Sequence, residues 1–429
     1  MSIKINIDKL NNEQRDKIND ELRINLGTGI SKYIFPYNID NDDIYIPFAF
    51  AMNEINLKRN ERKSYPSMNV KFEGNLRDEQ KEVKKEAIDI LNKNGSVILS
   101  MYTGCGKTIT SINIACAIKL KTLIIVNKIV LIKQWKESIL NFCPTAKIQE
   151  LNTKSKFDED SDFYIMNAIN VPKMKNNFFK SIGCCIIDEC HLIMAESLSK
   201  SLLTICPRYL IGLSATPYRE DGLDKLLDFY FGSIKIIREM FRKHIVYKVS
   251  SNLDIPIETT DNGRVNWNAV LKKQTENKER NELIIKIVKH FKDKNFLVLS
   301  KRVEQATYLF NRLKEDGEYV TSLIGKQQTF DREARILVGI TTKCGTGFDH
   351  PKLNMLIGAA DVQESFMQYL GRIFRRDDVS PMYIDLVDNM STLKTHSTSR
   401  CNICKDIGGI IKKFEKYFPH FYEMINLLK

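Results

Sequence analysis

The sequence predicts an α/β protein, with two parallel-sheet domains in tandem behind a small N-terminal module. Two observations carry that reading. From about residue 71 onward, apolar runs of strand length alternate with longer stretches of helical periodicity, the pattern of βαβ units covered on both faces. The same rhythm then restarts in the second half. The length agrees, because 429 residues correspond to two or three domains at about 100–200 residues each. No apolar run approaches the ~18 residues that a membrane-crossing helix needs, so no membrane partner is expected.

Residues 1–70 differ from the rest and read as an accessory module. The acidic cluster around Asp40, Asp42 and Asp43 precedes a short apolar stretch at 44–51. The basic polar run 58–63 then leads to Pro66, which marks a boundary near residue 70. The first α/β domain is expected at 71–237, with strands at 96–100, 123–126, 164–166, 184–188 and 209–214. Its clearest helix is 109–120, where Ile109, Ile112 and Cys116 share a face. A connecting segment follows at 238–275. The second domain, 276–429, repeats the rhythm with strands at 296–300, 319–324, 335–341, 354–359 and 382–386.

Composition narrows the function classes. Lys and Arg number 65 against 53 Asp and Glu, a net charge of +12 that permits a polyanionic partner. An AT-rich genome would enrich Lys, Asn and Ile in the same way, so charge alone does not decide. The ten cysteines are scattered and do not form a disulfide framework. With an N-terminus that lacks the apolar core of a signal peptide, the expected setting is an intracellular, reducing compartment.

The sharpest motif is Thr103-Gly104-Cys105-Gly106-Lys107-Thr108, directly after a strand and opening a helix. Glycines let backbone N–H groups approach a phosphate, and the helix N-terminus favours its charge. Lys107 can reach the β- and γ-phosphates, and Thr108 can ligate Mg²⁺. The full P-loop pattern wants glycine where this chain has Met101. A second motif, Asp188-Glu189-Cys190-His191, ends an apolar strand in two carboxylates. Asp188 is placed to hold a metal, and Glu189 to polarise a water for attack on the γ-phosphate. The bland alternative is an acidic strand terminus capped by a histidine; the upstream P-loop favours the catalytic reading.

Ser214-Ala215-Thr216-Pro217 follows another apolar strand, and reads either as a strand end passing into a turn or as a relay from the phosphates. In the second block, Gly345–Asp349 follows a strand, and Gln368–Arg376 is expected on an amphipathic helix. Arg372 and Arg375 would then project from one helix face. Cys401 and Cys404 form a lone CxxC with only His396 nearby, which reads as an ordinary helix turn in preference to a zinc site. Trp135 reads as core.

In their order over residues 76–388, these motifs resemble those of superfamily 2 helicases. Arg77 and Gln80 look like the adenine-reading segment, the Gly-x-Gly-Lys-Thr loop motif I, and Asp188–His191 motif II. Ser214 and Thr216 belong to motif III, Gly347 and Asp349 to motif V, and Gln368, Arg372 and Arg375 to motif VI. Within that family motif I lacks the first P-loop glycine, so Met101 is no anomaly. Arg219-Glu220-Asp221 resembles the "RED" element of XPB-type helicases. That group includes enzymes of phages and large DNA viruses, among them the poxvirus transcript-release helicase.

The resemblance implies two RecA-like domains with ATP and Mg²⁺ bound between them. Glu189, Gln368, Arg372 and Arg375 would be catalytic, and Thr108 and Asp188 would hold the metal. The nucleotide would be bound by Arg77, Gln80, residues 103–108, Gly347 and Asp349. His191, Ser214, Thr216, Arg219, Glu220 and Asp221 would couple hydrolysis to unwinding. It further implies a DNA helicase or translocase, moving 3′ to 5′ along single-stranded or branched DNA and acting in transcription, repair or recombination. The chain is expected as a monomer, in the host cytoplasm and the virion if viral. An RNA-directed enzyme of the same fold, a transcription complex as partner, and a non-hydrolysing nucleic-acid clamp are the alternatives.

Overall fold

The computed structural model describes residues 1–25, 33–102, 104–175, 177–194, 201–215, 224–327, 329–345, 350, 352–363, 365–376 and 378–419. The chain forms two compact units, Met1–Arg238 and Glu239–Lys429. Thr103, Thr216, Arg219, Glu220, Asp221, Gly347 and Asp349 lie outside the described residues.

The first unit opens with β1 (Ser2–Asn6), α1 (Asn12–Glu21), the short strands β2 (Ile24–Asn25) and β3 (Tyr33–Ile34), β4 (Asn38–Asp40), β5 (Asp43–Pro47) and α2 (Phe48–Asn53). Asn11 caps α1 reciprocally with Gln14: each side-chain oxygen accepts the other's backbone N–H, at 2.8 and 3.1 Å. Strands β1, β5 and β4 pair antiparallel, joining segments some 40 residues apart. Phe48 and Phe50 are buried in the same core as Leu210, Leu226 and Phe231, so this module shares a core with the sheet that follows.

That sheet is built from α3 (Asp78–Asn94), β6 (Ser96–Met101), α4 (Lys107–Ile118), β7 (Thr122–Val126), α5 (Ile129–Phe142), β8 (Ile148–Leu151), β9 (Phe163–Asn167), β10 (Cys184–Ile187), α6 (Cys190–Ile193), β11 (Tyr209–Ser214), α7 (Asp224–Phe231) and β12 (Lys235–Arg238). Among the described residues it is seven-stranded and parallel throughout, in the order β12-β6-β11-β10-β7-β9-β8. Its central strands are buried at every position because both faces are covered: Leu123 and Ile125 face one core, Ile124 and Val126 the other. Such strands read as unbroken apolar runs.

The second unit holds β13 (His244–Asp254), α8 (Trp267–Glu276), α9 (Lys278–His290), β14 (Phe296–Ser300), α10 (Val303–Glu315), β15 (Val320–Leu323), β16 (Ile336–Ile340), α11 (Thr341–Cys344), β17 (Met355–Gly358), α12 (Phe366–Leu370), β18 (Met382–Asn389), α13 (Ser391–Asp406) and β19 (Gly409–Lys413). The order β15-β16-β14-β17-β18-β13-β19 is again parallel throughout. Residues 244–254, read from the sequence as part of a connecting segment, thus form the long strand between β18 and β19. Two buried arginines organise this unit. Arg280 donates through Nε to Asp388 at 2.7 Å, and Arg400 through Nε to Asp385 at 2.9 Å and through Nη1 to Asp361 at 2.5 Å. Among the described residues no helix is long and apolar enough to cross a membrane.

Candidate active site

Motifs I, II and III leave three strands that lie side by side. Ser100 of β6 pairs in register with Ser214 of β11, and Gly212 of β11 with Ile187 of β10. The phosphate loop, the Asp188–Glu189 pair and Ser214 therefore converge at the carboxyl edge of one parallel sheet, where open α/β sheets bind ligands.

The loop itself joins β6 to α4. Gly104 and Gly106 have φ of 95° and 91°, a region that glycine enters without the strain a side chain would bring. At Gly106 a Cβ would also overlap the Gln80 amide nitrogen. Gln80 is buried at the start of α3 and is used twice. Its Nε2 donates to the Cys105 carbonyl at 3.0 Å, and its Oε1 accepts the Arg77 backbone N–H at 2.9 Å. The segment expected to read adenine thus buttresses the phosphate loop, while Arg77 itself is exposed. Glu79 adds a second brace, accepting from the Tyr102 hydroxyl at 3.2 Å and the Cys105 thiol at 3.3 Å. Burial and the Glu79 carboxylate push the Cys105 thiol up to about 11. Lys107 donates to the Met101 carbonyl at 2.8 Å, which holds its ammonium over the loop, with Thr108 next on the helix.

Asp188 continues the sheet ladder, its N–H donating to Ile125 O at 2.9 Å. Burial, then the neighbouring Glu189, pushes its carboxyl up to about 6; the Trp135 indole and Lys107 act in the opposite direction. Glu189 is a non-glycine residue with φ of 49°, a left-handed backbone that costs about 1–3 kcal/mol and is typical of functional sites. Its Oε2 lies 3.6 Å from His191 Nδ1. The same ring nitrogen is 2.9 Å from Ser214 Oγ, a hydrogen bond whose donor depends on the tautomer. Motifs II and III are therefore joined side chain to side chain. The Lys128 ammonium, after β7, is lowered from its ordinary value by burial, against the opposing pull of Glu189, so a cation lies near this carboxylate.

In the second unit the expected helix over Gln368–Arg376 is shorter. Helix α12 ends at Leu370, and the backbone tightens to i→i−3 bonds, Arg372 N–H to Tyr369 O at 3.0 Å and Ile373 N–H to Leu370 O at 3.1 Å. Gly371 caps this end, so Arg372 sits in a turn and Arg375 in irregular chain. The one-helix-face reading is corrected accordingly. Gln368 remains on α12 and is buried. Arg372 donates to the Gly345 carbonyl, and the Tyr369 hydroxyl to Thr341 O at 2.9 Å, which ties motif VI to the start of motif V. Burial lowers the Arg375 guanidinium from its ordinary value. Cys401 and Cys404 are buried on α13, with the Cys401 thiol 3.8 Å from Asp385 Oδ2, and His396 bonds Asp361 at 2.7 Å.

The donor set fits Mg²⁺. The Thr108 hydroxyl and Asp188 carboxylate are hard oxygen donors, and a cation beside Asp188 would offset its unfavourable burial. Among the described residues no three His, Cys, Asp or Glu side chains cluster to cage a metal. Mg²⁺ suits such a site, since it is usually held by one or two carboxylates with waters and substrate phosphates. One contact was not legible in the sequence: the Trp135 indole N–H donates to Asp188 Oδ2 at 2.9 Å.

Known proteins resemble the chain in sequence and in fold. Residues 73–219 match the family described as "Type III restriction enzyme, res subunit". The chain is 43% identical to "Putative helicase 161L" of Invertebrate iridescent virus 6, over 97% of this chain and 100% of that protein. It is 26% identical to "DNA 3'-5' translocase XPB2" of Sulfurisphaera tokodaii, over 79% and 87%. Among solved structures, S. cerevisiae Dbp5 bound to RNA and ADP BeF3 superposes with a TM-score of 0.55, at 13% identity, over 81% of this chain and 93% of that one. The chain belongs to the superfamily 2 helicases of viral and phage type, ATP-hydrolysing enzymes that act on nucleic acid.

Proposed function

We propose that this enzyme is a DNA helicase or translocase that couples ATP hydrolysis to 3′-to-5′ movement. The observation that carries the chemistry is the convergence of the phosphate loop, Asp188–Glu189 and Ser214 on adjacent strand ends. Lys107 neutralises phosphate charge, and Thr108 and Asp188 hold Mg²⁺. Mg²⁺ bound there would supply positive charge to offset the charge of the phosphates. Glu189 orients the attacking water and accepts its proton. Gln368, Arg372 and Arg375 bind and stabilise the charge developing on the γ-phosphoryl group. Arg77, Gln80 and the loop backbone hold the nucleotide, with Gly347 and Asp349.

Coupling runs through His191. Bonded to Ser214 and beside Glu189, it feels a change at the γ-phosphate and passes it to motif III, where Thr216 follows. Arg219, Glu220 and Asp221 act in strand separation, as their resemblance to the XPB-type element suggests. DNA as track and the 3′-to-5′ direction are supported by that element and by the similarity to the archaeal translocase. A motor stepping along arbitrary sequence grips phosphates, not base edges, which the net charge of +12 favours. The viral relatives favour work in viral or phage-like transcription, repair or recombination, and we take the working form to be a monomer. Phosphate release measured with single-stranded, duplex and branched DNA and with RNA tests the reading. Strongest stimulation by single-stranded or branched DNA is expected, and stimulation by RNA alone would overturn it.

A further inference from the structure

Trp135 does more than fill the core. It lies on α5 with Leu131 and Ile139, four residues away on either side, and all three are buried on one helix face. Packing alone asks only for an apolar ring there. The indole adds one polar atom, Nε1–H, a donor that cannot accept. That atom points at Asp188, 53 residues away on the neighbouring strand end, and donates to Oδ2 at 2.9 Å. The ring is 1% exposed, so the core sets its position and the N–H arrives in a fixed direction.

We propose that Trp135 is a positioning residue for the metal site, its indole N–H locking the rotation of the Asp188 carboxylate so that Mg²⁺ meets a preset oxygen. The donor is neutral. A lysine or arginine in its place would orient the carboxylate but compete with the cation for its charge; the indole leaves the full negative charge to the metal. Hydrogen bonds of this kind to ligating carboxylates typically change metal affinity by about 10–100-fold. The inference rests on the reading of Asp188 as a Mg²⁺ ligand.

The test is equilibrium binding of a fluorescent, non-hydrolysable ATP analogue to the full chain, titrated with Mg²⁺ and repeated in EDTA. Two variants remove the N–H: Trp135→Phe, and replacement of Trp135 by benzothienylalanine, which keeps the bicyclic shape. The Mg²⁺ concentration for half-maximal binding should rise about 10-fold or more in both. Binding in EDTA should stay within about twofold, which a general loss of structure would not allow. An unchanged Mg²⁺ requirement in the benzothienylalanine protein overturns the proposal, as does equal loss of binding with and without Mg²⁺. Asp188→Ala separates the two levels. If it raises the Mg²⁺ requirement while the Trp135 variants do not, the positioning role alone fails. If Asp188→Ala leaves the requirement untouched, the metal-ligand reading fails, and the positioning role with it.

Discussion

Gly106→Ala in the phosphate loop tests the close approach of Gln80 to Gly106. The new Cβ would overlap Gln80 Nε2, the far end of a side chain, so Gln80 swings aside and the backbone stays. Gln80 then loses its bonds to Cys105 O and from Arg77 N–H, each contributing about 1 kcal/mol. Holding alanine at φ 91° adds about 1–2 kcal/mol. The single substitution should therefore cost about 3–4 kcal/mol, and Gln80→Ala, which removes the same two bonds, about 2 kcal/mol. Combined, the two share that loss. The double variant should be about 2 kcal/mol more stable than additivity predicts. Urea unfolding followed by Trp135 fluorescence in a Trp267→Phe background reads the first unit alone, since these are the chain's two tryptophans. Additivity within about 0.5 kcal/mol would refute the contact.

Three further outcomes follow from the site and its support. Lys107→Ala should abolish ATP turnover, whereas Glu189→Gln should keep nucleotide binding and lose hydrolysis; comparable phosphate release from Glu189→Gln and wild type would remove Glu189 from the mechanism. Arg372→Ala and Arg375→Ala should each lower kcat by roughly 10³-fold with ATP affinity little changed, and loss of affinity with kcat intact would make either a ground-state binding residue. Arg400→Met should destabilise the second unit by about 3–5 kcal/mol, because it removes the guanidinium that offsets two buried carboxylates, Asp361 and Asp385; a smaller change in thermal or urea unfolding would mean that their remaining partners His396, Tyr383 and Ser397 compensate for it.

The central strands were legible because they are buried on both faces. Cys184–Ile187 and Phe296–Leu299 read as unbroken apolar runs of strand length. Of the edge strands, Val320–Leu323 was legible within the 319–324 run, and the others were not. Ile148–Leu151, Lys235–Arg238 and Gly409–Lys413 are short and mix polar, charged or glycine residues with their apolar ones, so no apolar run marks them. His244–Asp254 mixes apolar and polar residues along its length and was read as connection. The β1–β5 pairing joins segments too distant for any local pattern to reveal. At the site, the glycines, Lys107 and the paired carboxylates declare themselves, since phosphate and metal chemistry leaves few residue choices. What periodicity gives for Trp135 is a buried face; where its N–H points depends on how α5 lies against β10. The shortness of α12 was written only in Gly371, a weak signal inside an otherwise helical pattern.

We propose an ATP-driven motor that runs 3′ to 5′ on DNA. Strand displacement on two partial DNA duplexes, one with a 3′ tail and one with a 5′ tail, tests it most directly, with Glu189→Gln as the control. ATP-dependent displacement is expected from the 3′-tailed substrate, little from the 5′-tailed one, and none by Glu189→Gln. Preferential unwinding from the 5′ tail, or displacement by Glu189→Gln at the wild-type rate, would contradict it.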